Sequence, residues 1–169
     1  MSADLSFQVK INGSEEDISE AVRIIQQYED TDESSKERKW DLDCINCYYR
    51  QADSVDIEAM GPYGYYDLED IDIFQELAKQ VPGCSFTGSI GGFSGSEALM
   101  TQAEYKDRHL VLKYKSIFER GASDEELDEF WHGDSWDRIK EYSITDQIDE
   151  NGLISIRVER INNKRTKKR

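Results

Sequence analysis

Three groups of residues have the types and spacing that chemistry uses. Cys44-Ile45-Asn46-Cys47 has the spacing of a metal knuckle or a redox pair. Zinc takes four ligands, and Cys84, His109 and His132 supply no second close pair. A redox pair of the thioredoxin kind opens a helix, whereas this one falls in a predicted strand. The expectation is therefore buried structural cysteines and no metal. Gly88, Gly91, Gly92 and Gly95 invite a phosphate-loop reading, but neither the Rossmann nor the Walker spacing is present. No Lys-Ser/Thr follows, and Glu97 would repel phosphate. His132, Asp134 and Ser135 are the residue types of a hydrolytic triad, yet four consecutive positions cannot reach the nucleophile–base–orienter geometry. No catalytic residue and no cofactor is assigned.

Acid interleaved with aromatics is the better signal. Asp124, Glu125, Glu126, Asp128 and Glu129 precede Phe130 and Trp131, and His132-Gly133-Asp134-Ser135-Trp136-Asp137 follows. Tyr63, Tyr65 and Tyr66 stand directly before Asp67, Glu69 and Asp70. Tyrosine and tryptophan anchor interfaces, and flanking carboxylates steer a basic partner. The expected partner-binding residues are thus Tyr63, Tyr65, Tyr66, Asp67, Glu69, Asp70, Glu125, Glu126, Glu129, Trp131, Asp134, Trp136 and Asp137. The competing reading is that the aromatic rings simply cover a sheet.

Whole-chain charge points the same way. There are 21 basic and 36 acidic residues in 169, a net charge of −15. Six of the basic residues lie in the last ten positions, which hold no acid, so residues 1–159 carry −21. Such a field repels nucleic acid and anionic lipid and attracts basic protein surfaces, although acidity also serves solubility alone. No run of about 18 apolar residues is present, so no membrane span is expected. Met1-Ser2-Ala3-Asp4 has neither a basic start nor an apolar stretch. With only three cysteines, a cytoplasmic location follows as the expectation.

The elements that must position these groups are legible from periodicity. Leu5, Phe7, Val9 and Ile11 alternate as a half-buried strand. Ser14, with Asp17 three residues on, caps a helix with the stripe Ile18, Ala21, Val22, Ile25 and Tyr28. Glu29 to Lys39 reads as a charged connector. Trp40, Leu42 and Cys44 begin a strand running to about Arg50, and Val55, Ile57 and Ala59 face inward on the next. Asp67 is placed to cap a helix with Leu68, Ile71, Phe74, Leu77, Ala78 and Val81 on one face, ended by Pro82-Gly83. Cys84, Phe86, Gly88 and Ile90 alternate, and Gly91-Gly92-Phe93-Ser94-Gly95 is expected to break the strand. A hairpin of Leu99 to Tyr105 and Leu110 to Phe118 follows.

Ser123 and Glu126 form a capping box for a short helix ended by His132-Gly133. In the last hairpin, a three-residue loop, Glu150 to Gly152, places Ile148 opposite Ile154 and Ile144 opposite Val158. A two-residue turn would split the apolar faces. Residues 1–161 are expected as one domain, large enough to bury about two-thirds of its unfolded surface. Residues 162–169 are expected to form a disordered basic tail.

The order strand, helix, strand, strand, helix, strand gives the fold class. It is α+β, with a ferredoxin-like split βαβ core, an antiparallel sheet with helices on one face. Two C-terminal hairpins and a short helix extend it. The run Gln80-Val81-Pro82-Gly83-Cys84-Ser85-Phe86, the glycine stretch and Ala103-Glu104-Tyr105 resemble the YubB-type ferredoxin-like domains of plasmids and phages. The resemblance covers the central third of the chain. It implies that fold and a mobile-element origin, and carries over no functional residue.

The function expected is an acidic module that binds a basic protein surface. Its sharp form is an inhibitor of a nucleic-acid-handling enzyme, of the anti-CRISPR or anti-restriction kind. Carboxylates at i and i+4 of a helix lie about 6 Å apart and stand in for phosphates. The alternatives are a small enzyme or ligand-binding domain using the glycine stretch and nearby tyrosines, or a structural or immunity-type partner protein.

Overall fold

The computed structural model describes residues 4–29, 40–62 and 68–161. Eight strands form one antiparallel sheet: β1 (Asp4–Asn12), β2 (Asp43–Tyr48), β3 (Ser54–Pro62), β4 (Ser85–Ser94), β5 (Glu97–Lys106), β6 (His109–Phe118), β7 (Arg138–Ile148) and β8 (Ile154–Ile161). Their order is β2-β3-β1-β4-β5-β6-β7-β8. Three helices accompany them: α1 (Glu15–Gln26), α2 (Ile73–Gln80) and α3 (Asp124–His132). The class is α+β, and every pairing after β4 joins neighbours in sequence. No helix among the described residues is long and apolar enough to cross a membrane.

The core lies between one sheet face and the first two helices. Leu5, Phe7, Val9 and Ile11 alternate onto that face, level with Ile90, Gly88 and Phe86 of β4. An aromatic row crosses it: Trp40 to Phe7 at 6.2 Å between ring centroids, Phe7 to Phe74 at 5.7 Å, Phe74 to Phe86 at 5.9 Å and Phe86 to Tyr105 at 5.2 Å. The row ends where the Tyr105 hydroxyl donates to the Pro82 carbonyl at 2.8 Å. Gly88 makes it possible, since a Cβ there would stand 2.7 Å from the Phe74 ring. The sheet curls far enough for β8 to meet α2, and Ile156 and Val158 pack against the same core.

Both N-caps form as expected, and each closes a capping box, Ser14 with Asp17 and Ser123 with Glu126. The final hairpin takes the three-residue loop, with Gly152 at φ +80°, Ile148 opposite Ile154 and Ile144 opposite Val158.

Several expectations are corrected. The second helix begins at Ile73 rather than after Asp67, and Leu68–Asp70 form only a single 3-10 turn. Its N-cap residue, Asp72, makes no cap hydrogen bond; its carboxylate instead accepts from the Tyr28 hydroxyl at 2.9 Å, tying α1 to α2. Gly91-Gly92-Phe93 does not break β4, which stays paired with β1 as far as Gly92 and with β5 as far as Ser94, and the turn falls at Gly95. Trp40 and Leu42 are buried ahead of β2, where the Leu42 amide donates to the Tyr28 carbonyl. Cys44 and Cys47 are exposed, at a bulged edge strand, and only Cys84 is buried. Phe118, whose spacing from Leu110, Leu112 and Tyr114 places it on their face, is exposed. α1 and α2 pack on the core face of the sheet, and the added short helix α3 covers the opposite face. Most of the connector after Glu29, Tyr63 to Asp67 and the tail from Asn162 lie outside the described residues.

Candidate functional site: an acidic groove beside a caged lysine

Alternation along β6 decides which face each group occupies. Tyr114 faces the core with Leu110 and Leu112, so Lys113, Lys115 and Ile117 face the other way. In register with Lys115 lies Met100, and with Met100 lies Gly91. Trp131 lies over the strand at Gly91, where a Cβ would be in ordinary contact with its ring at 3.8 Å. Trp131 meets Phe93 and Phe130 edge-to-face, at 5.6 Å and 4.8 Å between centroids. Phe130 is buried. These rings cap the sheet below α3.

Lys115 is the centre of this face. It is 5% exposed, and its ammonium lies 4.2 Å from the Trp136 ring centroid and 5.1 Å from that of Phe130. It donates to the Gly133 carbonyl at 3.2 Å. Burial lowers its pKa from the ordinary lysine value, and the carboxylates of Glu129, Asp134 and Asp137 partly offset that. An aromatic cage of the kind that binds cations is thus filled by the chain's own lysine.

The acids around it divide by what they already hold. Asp134 accepts from the Trp136 indole N–H at 2.9 Å, and Asp137 accepts from the Ser116 amide at 3.0 Å. Glu126 closes the capping box by accepting from the Ser123 amide at 3.0 Å. Glu125 and Glu129 are exposed on α3. With Glu126 and Asp137 they line a groove of about 570 Å³ between α3 and β6, floored by Ile117 and Phe130.

Glu125, Glu126, Glu129, Trp131, Asp134, Trp136 and Asp137 therefore come together on one face. Glu69 does not join them. It pairs with Arg138 at 2.5 Å and with Lys140, which stand level with Tyr114 and Leu112 on the core side of the sheet. Asp70 is exposed on the short turn beside it. Tyr63, Tyr65, Tyr66 and Asp67 lie outside the described residues.

Other candidate chemistry stays dispersed. His109 pairs with Glu141 at 3.0 Å on an exposed hairpin, and His132 stands 3.9 Å from Asp128 one helical turn back. No group of three or more His, Cys, Asp or Glu arranged to hold a metal occurs among the described residues. Burial, reinforced by Asp17, pushes the Cys84 thiol up to about 12 and keeps it protonated.

Lys115 was not singled out from sequence. The only signal was the run Lys113-Tyr114-Lys115, which puts two lysines on the face that Trp131 and Trp136 would cover. No protein-family model, curated protein or solved structure matches the chain.

Proposed function

We propose that the protein is an acidic binding module that docks on a basic protein surface through the face carrying α3. The observation that carries this reading is the groove between α3 and β6. Glu125, Glu126, Glu129 and Asp137 line it over an apolar floor of Ile117 and Phe130. Such a groove suits the aliphatic stem and cationic head of an arginine or lysine from a partner. Trp131 and Trp136 are half-buried and engaged with Phe93, Phe130 and Lys115, so they stiffen the face rather than reach out from it.

The sharper form is inhibition of a nucleic-acid-handling enzyme in the cytoplasm by carboxylates that stand in for phosphates. Glu125 and Glu129 are one helical turn apart, close to the phosphate repeat of a single strand at about 6 Å. The order β2-β3-β1-β4 with α1 and α2 on one face agrees with a ferredoxin-like core. Together with the YubB-type resemblance, it supports an origin in a phage or other mobile element. Glycine-stretch ligand binding is disfavoured, because Gly91 and Gly92 are paired with β1 on one side and β5 on the other.

The test is to capture the partner from host extract and measure its binding to the purified chain. Reversing Glu125 and Glu129 to lysine should weaken binding mainly by slowing association. Binding unchanged by the reversal and by salt would reduce the acidity to solubility.

A further inference from the structure

We propose that β8 is a dimerisation edge, pairing antiparallel with β8 of a second copy so that one sheet runs through both. The two edges of the sheet are built differently. β2 has six residues, its register with β3 shifts between Asp43 and Asn46, and Cys44 sits at φ +54°. A bulge of that kind blunts an edge against further pairing. β8 is regular over eight residues and pairs with β7 without a shift.

Hydrogen bonding in the hairpin shows which groups β8 offers. The Asp149 amide donates to the Leu153 carbonyl at 3.0 Å, making that pair the hydrogen-bonded one. In an antiparallel ladder such pairs alternate. Ser155, Arg157, Glu159 and Ile161 therefore turn their amides and carbonyls toward β7. Ile154, Ile156, Val158 and Arg160 turn theirs outward, where no hydrogen-bond partner exists among the described residues.

The side chains then choose the register. Outward residues must meet outward residues, which leaves pairings centred on single residues of β8. Centring on Arg157 sets two arginines face to face, and centring on Glu159 sets two glutamates face to face. Centring on Val158 places Arg157 opposite the second copy's Glu159, and Glu159 opposite its Arg157. Those are non-hydrogen-bonded positions, where cross-strand side chains approach most closely. The two residues already attract each other along the strand, at 3.6 Å within one chain. The same register gives partners to the outward groups of Ile156, Val158 and Arg160. Charge complementarity thus selects a second copy of this chain, in one register, as the occupant of the edge.

Sedimentation equilibrium on the full chain, from micromolar to millimolar concentration, tests it. The wild type should show a monomer–dimer equilibrium. Val158→Pro removes an outward N–H that makes no hydrogen bond among the described residues, a position where an edge strand tolerates proline, and should abolish the dimer. Arg157→Glu creates two like-charge pairs and should weaken the dimer on the order of tenfold. Adding Glu159→Arg to it should restore the affinity, a readout that does not depend on the proline variant folding. A wild type monomeric throughout, or a dimer indifferent to the charge exchange, overturns the proposal.

Discussion

The Lys115 ammonium stands 4.2 Å from the centroid of the Trp136 ring while donating to the Gly133 carbonyl. One strand residue thereby holds both the ring and the C-cap of α3, and the acidic face is fixed to the sheet through it. The contact carries a cost as well as a gain. Burial depresses the lysine pKa, so desolvation of the charge opposes the ring and carbonyl contacts.

That balance gives the first prediction. Lys115→Met keeps the apolar stem under Phe130 and Trp136 and removes the buried charge, so stability should change by less than about 1 kcal/mol. Lys115→Ala empties the cage and should cost about 2 kcal/mol or more. Denaturant midpoints of the two variants against wild type measure the difference. Equal losses would mean that the charge, and not the stem, holds α3 to the sheet.

A second prediction concerns the aromatic row. A Cβ at Gly88 would lie 2.7 Å from the Phe74 ring and 2.8 Å from the Gln8 carbonyl, and backbone cannot yield as a side chain can. Gly88→Ala should therefore destabilise by about 1–3 kcal/mol. Phe74→Leu should recover part of the loss in the double variant, against its own cost as a single change. Thermal unfolding of all four proteins closes the cycle.

Much of this arrangement was legible in the sequence. Ser14 and Ser123 announced their helices because a cap is a local device, readable over four residues. The loop Glu150 to Gly152 followed from the faces of Ile144, Ile148, Ile154 and Val158, since a slip of one residue inverts them. The failures were non-local. Gly91 and Gly92 read as a break because glycine is rare in strands, but here both are paired with β1 and with β5 and the ladder stays intact. Asp67 read as the cap of the second helix, but α2 starts at Ile73, and the carboxylate of Asp72 at its N-cap is held by Tyr28, 44 residues earlier. The acid clusters read alike in sequence, yet Glu69 serves β7 and Glu125 faces a groove. Only the sheet's two faces separate them.

Alkaline pH supplies a third prediction. Burial pushes the Cys84 thiol from its ordinary 9.0 to about 12, and the Tyr105 hydroxyl from 10.0 to about 12. Burial raises Tyr28 and Tyr114 in the same direction. The unfolded chain loses these protons first. Their contribution is therefore fully present below about pH 9 and lost as pH rises through about 12. Lys115 acts oppositely, because its charged form is disfavoured in the fold, but one lysine does not offset these acids. Stability should fall steeply between pH 9 and 12, and Cys84→Ala should flatten the early part. Tyr105→Phe should flatten the later part while costing about 1 kcal/mol at neutral pH for the lost bond to Pro82. Denaturant midpoints across that range measure it, and a flat profile would contradict it.

The last prediction separates the two acid clusters by role. Glu69 sits between Arg138 and Lys140 with its side chain only 25% exposed. Glu69→Gln leaves two neighbouring cations without their counter-charge, and should cost about 1 kcal/mol of stability while leaving partner association unchanged. Reversing Glu125 and Glu129, which are exposed on α3, should do the opposite. Stability should fall only modestly: neither residue closes the capping box, which uses Glu126, although Glu125 favours the first turn of α3 and Glu129 stands near the Lys115 ammonium. Association with the basic partner should slow several-fold, and the wild type's own rate should fall as salt rises from about 0.05 M to about 0.5 M. Stopped-flow or surface-based association rates, set beside denaturant midpoints for the same variants, make the comparison. If Glu69→Gln slows association as much as the α3 reversal, the binding surface includes the core-side cluster, and the groove between α3 and β6 is not its centre.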